Sequence, residues 1–403
     1  MEEHELQVEV PSYFVCPISL QMMRDPVTLP TGITYDRDGI ERWLLAAGTC
    51  PLTKQPVPPE SEPTPNHTLR RLIQSWCADH GVDLAVVPTT RSPVDRARLA
   101  DLVSCLDAAG GGLLDALIEL REVADEGERN RKLLAAVPGA GEVLAAVVVA
   151  SCHDATAACD VALGIVSSMQ LPEQCVSRLA GGDGELVDAL VATLRRPNAT
   201  SRAHAAAFLG TLTASMAPNR LTSLPDQVFD EMTRLLRDSV ATRSALHVLV
   251  SATPWGRNRV KAVEAGAVDA LIDMLLDLDV DATPERRVCE LAMAALDRMC
   301  GCAEGRAALV SHGAGVAVVG RSLMSSERAV RVVRSVARHA ATAAVLQEMA
   351  QTGIVAKLSA VARSERCSER TRERARETLR LHAAAWRNSP CLLPRLQAIY
   401  PSS

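Results

Sequence analysis

The sequence predicts a mostly α-helical protein in which a small α+β module precedes an α-solenoid. Up to His80 the chain holds five of its ten aromatic residues, frequent prolines and several turn signals. Beyond Ala97 it becomes rich in Ala, Leu, Val and Arg at helical spacing, and similar apolar segments recur. The 48% share of hydrophobic residues is enough to bury a large core.

Local signals predict a hairpin and a first helix in the N-terminal module. Val27 to Leu29 and Thr34 to Tyr35 are β-prone runs, and Gly32 between them can supply the turn. Asp36 is a suitable N-cap for a helix that should end at Gly48. The apolar residues of this helix share one face: Ile40, Trp43 and Leu44.

A second helix is predicted after a loop. Asn66 can cap it, and Gly81 follows its end. Its apolar residues follow the i, i+3, i+4, i+7 rule: Leu69, Leu72, Ile73 and Trp76.

This order of loop, hairpin, helix, loop and helix is RING-like, but the zinc ligands are missing. Two structural zinc ions need eight Cys or His ligands at short spacings. Between Ser12 and Gly81 the sequence offers only Cys16, Cys50, His67, Cys77 and His80, without a C-x-x-C pair. Cys16 and Cys50 are either remnants of a metal site or small buried thiols, and the second interpretation is favoured.

The second half repeats with a period of helical arrays. Similar segments begin at residues 141, 184, 226, 266, 313 and 353, which are 43, 42, 40, 47 and 40 residues apart. The unit from Asn258 to Cys300 divides into three helices around Gly266 and Pro284. With the helical stretch from Arg98 to Leu134, five to seven repeats are expected. The core positions of the fullest unit are Val268, Leu271, Ile272 and Leu275.

Composition and motifs exclude several classes of function. The net charge of -5 gives no broad attraction to nucleic acid or anionic lipid, and the acidic N-terminus and the lack of a long apolar run argue against secretion and a membrane span. Scattered cysteines indicate reduced thiols and an intracellular protein. A nucleophile at Cys16 activated by His67 or His80 has no catalytic signature around it, and phosphate-loop and H-E-x-x-H motifs are absent from the sequence.

Three segments carry a family resemblance. "CPISLQMMRDPVTLPTGITYDRDGIERWL", "TCPLTKQPV" and "PNHTLRRLIQSWC" together resemble the U-box, a metal-free RING-like domain. The N-R, A-G-A, L-x-x-L-L and A-x-x-A-L pattern of the unit from Asn258 resembles armadillo repeats.

The predicted domains are a U-box at 10–84, a linker at 85–96, an armadillo solenoid at 97–385 and a tail at 386–403. This order resembles plant U-box ubiquitin ligases, and the tail "WRNSPCLLPRLQAIYP" resembles that of shorter members that regulate immunity and stress.

The resemblance implies what holds the metal-free module together and what it binds. Polar side chains should replace zinc, and the candidates are Asp25, Asp36, Arg37, Glu41, Asn66 and Arg70. A ubiquitin-charged conjugating enzyme (E2) should dock on an apolar groove formed by Ile18, Trp43 and Pro51. Lys54 should help to position the donor ubiquitin. No covalent nucleophile, metal or cofactor is implied.

The sequence hypothesis is an E3 ubiquitin ligase that transfers ubiquitin from E2 directly to lysines of a substrate on the armadillo repeats. The alternative is a non-catalytic armadillo adaptor with a degenerate U-box, and a nuclear import receptor is disfavoured because only Trp255 lies within the repeats. Cytoplasmic location, with the nucleus as a second site, and a role in plant defence or stress signalling come from the resemblance. The substrate, the preferred E2, the chain linkage and any homo-oligomer are left open.

Overall fold

Two compact units, Met1–Asp95 and Arg96–Ser403, make up the chain. A computed structural model describes residues 10–58, 61–80, 96–107, 112–154, 156–278 and 283–387. The predicted linker and tail fall almost entirely outside these ranges, so the domain boundaries stay predictions. Trp386, at the predicted start of the tail, is buried, and its Nε1 donates to the Leu346 carbonyl at 3.3 Å.

The first unit combines a small sheet with two helices. After a single-turn 3-10 helix at Ser12–Phe14, its elements are β1 Pro26–Thr28, β2 Thr34–Asp36, α1 Arg37–Ala47, β3 Thr64–Pro65 and α2 His67–Asp79. The strands are antiparallel in the order β2-β1-β3, with Val27 opposite both Tyr35 and Pro65. The predicted hairpin is confirmed, and Gly32 has a φ of 79° in its turn. Strand β3 was not predicted because two residues carry no alternation signal.

The two helices begin and end close to the predicted residues. Gly48 terminates α1 in the left-handed conformation, and the Asn66 side chain accepts the Leu69 N–H at the start of α2. Asp36 holds the N-cap position of α1, but its carboxylate makes no capping hydrogen bond. The predicted apolar face of α2 was wrong at Leu72, which is 51% exposed.

The second unit is helical in the residues described, with one 3-10 turn at Ser322–Met324. Its helices are α3 Arg96–Asp107, α4 Leu113–Asp125, α5 Glu128–Ala135, α6 Ala140–Ser151, α7 Thr156–Ser168, α8 Glu173–Gly181, α9 Glu185–Leu194, α10 Ala199–Ser215, α11 Pro218–Thr222, α12 Asp226–Arg237, α13 Thr242–Ala252, α14 Gly256–Glu264, α15 Ala267–Asp277, α16 Thr283–Met299, α17 Ala303–Ser311, α18 Gly315–Arg321, α19 Glu327–His339, α20 Ala343–Gln351, α21 Ile354–Arg363, α22 Glu369–Leu381 and α23 Ala383–Arg387.

From α5 to α22 the described helices form six units of three, which confirms the predicted repeat architecture and number. Within each unit the third helix packs on the third helix of the next, so that α4, α7, α10, α13, α16, α19 and α22 form one continuous row. We call this the third-helix row. The predicted core residues Val268, Leu271, Ile272 and Leu275 are all fully buried.

The N-R pairs at the start of a unit cap the third helix before it. Asn258 Nδ2 donates to the Ala252 carbonyl at 3.0 Å and to the Leu221 carbonyl at 2.8 Å, and Arg259 donates to the Thr253 carbonyl at 3.0 Å. Asn130 makes the equivalent bond to the Val123 carbonyl at 3.0 Å. The last carbonyls of a helix have no partner within it, so these side chains satisfy them and join neighbouring repeats.

Glycine is required where the first helix of this unit turns into the second. Gly266 has a φ of 78°, and a Cβ built on it would lie 2.6 Å from Nη2 of Arg237 in the preceding repeat. The left-handed backbone is what requires glycine here, because the flexible end of the Arg237 side chain could move away from a Cβ.

None of the helices described is by itself long and apolar enough to cross a membrane. Two bent pairs of helices, Glu128–Ala135 with Ala140–Ser151 and Ala303–Ser311 with Gly315–Met324, meet the length and composition test only when taken together.

Replacing Asn258 by Ala should destabilise the repeats by about 1–3 kcal/mol, because two buried carbonyls lose their donor. Asn219→Ala, at an exposed position of α11, is the matched control and should change stability by less than about 0.5 kcal/mol. Urea unfolding followed by circular dichroism measures both. Equal midpoints for the two variants would contradict the capping role.

Candidate functional site

Two loops of the first unit share one backbone geometry. Loop 1, "CPISLQ", spans 16–21, and loop 2, "CPLTKQ", spans 50–55. In each loop the cysteine N–H donates to the glutamine carbonyl at 2.8 Å, and the fifth residue donates to the cysteine carbonyl at 2.9 Å. That fifth residue has positive φ in both: 55° at Leu20 and 60° at Lys54. Two non-glycine residues held in the left-handed region show that the surrounding hydrogen bonds impose the loop shape.

The thiols of the two loops act as hydrogen-bond partners in the core. Cys16 Sγ accepts the Asp36 N–H at 3.2 Å, and Cys50 Sγ lies 3.1 Å from the Tyr35 hydroxyl and 3.4 Å from that of Thr31. Both cysteines are fully buried. Within the described ranges, no group of three or more Cys, His, Asp or Glu side chains could hold a metal ion. Both sulfur atoms thus make hydrogen bonds with groups of the protein itself, in keeping with small buried thiols.

Burial and hydrogen bonding displace the pKa values around loop 2. Burial acts to raise the pKa of Cys50, but hydrogen bonds from Thr31, Thr53 and Tyr35 outweigh it and lower that pKa to about 6. Burial, together with the bond to Cys50, raises the pKa of Tyr35 to about 12. The Tyr35 hydroxyl also accepts the Leu52 N–H at 3.4 Å, so one buried phenol holds the centre of loop 2.

An ion cluster centred on Asp25 joins both helices to the sheet. Its Oδ2 accepts from Arg37 Nε of α1 at 2.6 Å, and its Oδ1 is paired with Arg70 Nη2 of α2. Arg37 also reaches Glu41 at 3.3 Å. The structure therefore brings four of the six predicted network residues together, and burial lowers the pKa of Arg70 within the cluster.

The other two predicted network residues form separate hydrogen-bond centres. Asp36 Oδ1 accepts the N–H groups of Arg24 and Asp25 at 2.9 and 2.7 Å, which fixes the segment after loop 1. Burial raises the pKa of Asp36, against the lowering effect of the hydrogen bond from the Arg24 N–H. Asn66 Nδ2 donates to the hydroxyls of Thr34 and Thr28 at 3.3 and 3.4 Å, linking α2 to the hairpin.

An apolar surface lies beside these loops. Ile18, Trp43 and Pro51 are each partly exposed. The Ile18 side chain lies against Gly39, and Trp43 is one turn further along the same face of α1. Trp43 Nε1 donates to the Thr49 carbonyl at 2.9 Å, which orients the indole towards loop 2. These contacts thus place Ile18 of loop 1 against α1. They also tie Trp43 of α1 to Thr49, which lies two residues before Pro51 of loop 2.

Two exposed leucines extend this surface and were missed from the sequence. Leu20 of loop 1 is 78% exposed, and Leu52 of loop 2 is 58% exposed. A single exposed leucine is common on protein surfaces, but a group of exposed apolar side chains is typical of an interaction site. The matching "CP" starts of the two loops could have identified them, because both leucines follow a buried cysteine within four residues.

Lys54 sits at the edge of the apolar surface. Its Nζ lies 5.5 Å from the centroid of the Trp43 ring, within the range of a cation–π contact, and the residue is exposed. The charge is therefore placed next to the surface and remains accessible to a partner.

Comparisons with known proteins match both units. Residues 10–82 match a family model described as "U-box domain", and residues 101–397 match one described as "Plant U-box protein ARM repeat region". E3 ubiquitin-protein ligase PUB23 of Arabidopsis thaliana is 40% identical over 98% of both chains, and E3 ubiquitin-protein ligase PUB22 of the same plant is 38% identical over 98% of this chain and 99% of its own. A solved structure from work on the interaction between cadherin and beta-catenin resembles the fold alone, with a TM-score of 0.57 and 14% identity over 78% of this chain and 59% of its own.

Replacing Asp25 by Asn should lower the free energy of unfolding of the first unit by about 1.5–3 kcal/mol, the range for hydrogen bonds to charged groups. Both arginines would then lose their shared carboxylate. Glu41→Gln removes a half-exposed member of the same cluster and should cost at most about 0.5 kcal/mol. Hydrogen exchange of peptides from residues 10–58, read by mass spectrometry, compares the two. Equal protection in both variants would show that the cluster does not stabilise the unit.

Proposed function

This chain belongs to the plant U-box proteins with an armadillo-repeat region, and from this membership we propose how it works as an E3 ubiquitin-protein ligase. The U-box binds an E2 that carries ubiquitin as a thioester, and the repeats hold the protein to be modified. The observation that carries the proposal is the exposed apolar surface on two rigid loops and α1. An exposed surface that is already in its binding shape loses little conformational entropy on docking.

Ubiquitin passes directly from E2 to the substrate. The two U-box cysteines nearest this surface, Cys16 and Cys50, are fully buried and hydrogen-bonded, so neither is accessible for thioester exchange. A substrate lysine, as the neutral amine, attacks the thioester carbonyl, an isopeptide bond forms, and the E2 thiolate leaves. The ligase contributes position rather than a nucleophile.

Lys54 is proposed to favour the reactive arrangement of the E2–ubiquitin conjugate. A cation at the edge of the docking surface can donate hydrogen bonds to carbonyl groups of both E2 and ubiquitin. Stabilising one conformer of the conjugate raises the rate because a larger fraction of it is ready to react. Lysine lacks the planar fork of arginine, so its contribution is expected to be smaller than that of arginine at this position.

The family resemblance further supports a place in plant defence or stress signalling, acting in the cytoplasm and with the nucleus as a second location. The competing function is an armadillo adaptor without ligase activity. One rate distinguishes the ligase from the adaptor: the rate at which ubiquitin passes from ubiquitin-charged E2 to free lysine in the presence of the purified protein, which we call E2 discharge.

Ile18→Ala and Trp43→Ala should each abolish the acceleration of E2 discharge, because they remove apolar contact at the centre of the docking surface. Leu72→Ala is the matched control, an exposed leucine of α2 that belongs to neither loop, and should keep the wild-type rate. A wild-type protein that gives no acceleration at all would favour the adaptor.

Replacing Lys54 by Gly removes the charge of the side chain and also relieves the strain of its positive φ. The two changes are expected to act on different quantities, the discharge rate and the stability. Glycine adopts the observed φ of 60° freely, so the variant should be more stable by up to about 1 kcal/mol. Its discharge rate should nevertheless fall, whereas Lys54→Arg should match or exceed the wild type. Thermal unfolding and single-turnover discharge give the two readouts, and a faster glycine variant would disprove the positioning role.

A further inference from the structure

A basic groove crosses three consecutive members of the third-helix row. It is a cavity of about 590 Å³ between α13, α16 and α19. Its polar lining consists of Arg243, Arg286, Arg287, Arg328, His247 and Glu290. Four guanidinium groups thus face one carboxylate, in a chain whose net charge is -5.

These four arginines have no ion-pair or hydrogen-bond partner among the residues that the structure describes. Their neighbours on the same row behave differently. Arg331 is paired with Asp297, and Glu377 takes both Arg334 at 2.8 Å and Arg338 at 3.0 Å. The one acid of the groove, Glu290, accepts a hydrogen bond from Ser326 at 3.3 Å. Several arginines of the row are thus paired with acids of the neighbouring repeat, whereas the four that line the groove are not, within the described part of the chain.

The groove has a positive local field and an apolar floor. Burial, and next the charge of Arg328, lower the pKa of the nearby Arg298. Between the charged side chains lie Val250, Leu291 and Ala294. A ligand that suits this lining carries carboxylates and a few apolar side chains.

The spacing of the helices favours an extended peptide. Packed helices lie about 8–10 Å apart, and an extended chain advances about 3.3 Å per residue. Acidic residues two or three positions apart would therefore meet arginines on successive helices. Arginine binds carboxylates through two parallel hydrogen bonds, which a lysine could not supply.

Nucleic acid fits this lining less well. The groove residues include no Phe, Tyr or Trp on which bases could stack. The negative net charge of the chain also opposes a long polyanion more than a short peptide.

We propose that the groove on α13, α16 and α19 binds an extended acidic segment of the protein that this ligase modifies. The proposal rests on the ligase function above and adds the chemical class of substrate segment that the repeats select.

The test uses the full chain and a fluorescein-labelled twelve-residue peptide that alternates Glu with Ser and Leu. Fluorescence anisotropy should show binding that weakens with salt, and the same peptide with Gln in place of Glu should bind at least about tenfold more weakly. The double variant Arg286→Glu, Arg287→Glu should lose at least about tenfold in affinity. Arg287→Gln, a milder change at an exposed position, should lose affinity in the same direction.

The matched control is Arg129→Glu with Arg257→Glu, exposed positions on first helices that carry the same change in net charge. It should bind the peptide within about twofold of the wild type, since these residues lie outside the groove. Equal loss in this control, or no binding of the acidic peptide by wild type, overturns the proposal. Tighter, groove-dependent binding of single-stranded poly(U) RNA would overturn it in favour of nucleic acid.

E2 discharge to free lysine separates this proposal from the ligase function. The groove variants should discharge E2 at the wild-type rate, because free lysine needs no docking segment. Wild-type protein that binds the acidic peptide but does not accelerate discharge would refute the ligase function while leaving the groove as a peptide site.

Discussion

The structure of the first unit depends on one carboxylate, that of Asp25. It lies immediately before β1 and pairs with Arg37 of α1 and Arg70 of α2, while its carbonyl accepts the Arg37 N–H at 3.0 Å. A single acidic side chain thereby joins the sheet to both helices, as a bound metal would. Such a cluster is stabilising only as a whole, since losing one member leaves the others partly buried without a partner.

The proposed docking surface is formed by two loops of the same unit that share one backbone structure. Loops 1 and 2 have the same backbone hydrogen bonds, a buried thiol at the first position and a left-handed residue at the fifth. Leu20 and Leu52 are exposed on these loops, and Ile18 packs partly against the core while keeping part of its side chain at the surface. Rigid loops that present apolar side chains suit the proposed docking of a ubiquitin-charged E2, because they lose little conformational entropy on binding.

The repeats follow the same rule of satisfying polar groups, on a larger scale. Asn258 and Arg259 bond the end of the third helix before them, and ion pairs such as Arg334 with Glu377 join third helices to one another. Between α13 and α19, four arginines that lack such pairs with any described residue line one cavity. The difference between a structural and a binding surface here is whether the charges already have partners.

The sequence by itself determined the two-unit organisation, the hairpin, the helix ends at Gly48 and Asn66, the repeat period and the buried face at Val268 to Leu275. These follow from local backbone preferences and from periodicity, which act over a few residues. Only the tertiary structure decided that Asp36 bonds the segment after loop 1 instead of capping α1, and that Leu72 is exposed. It also decided that β3 pairs with β1. In the repeats, it decided that Arg243, Arg286 and Arg328 share one groove. Each of these depends on groups that are distant in sequence, and hydrogen bonds and charges select their partners by distance in space.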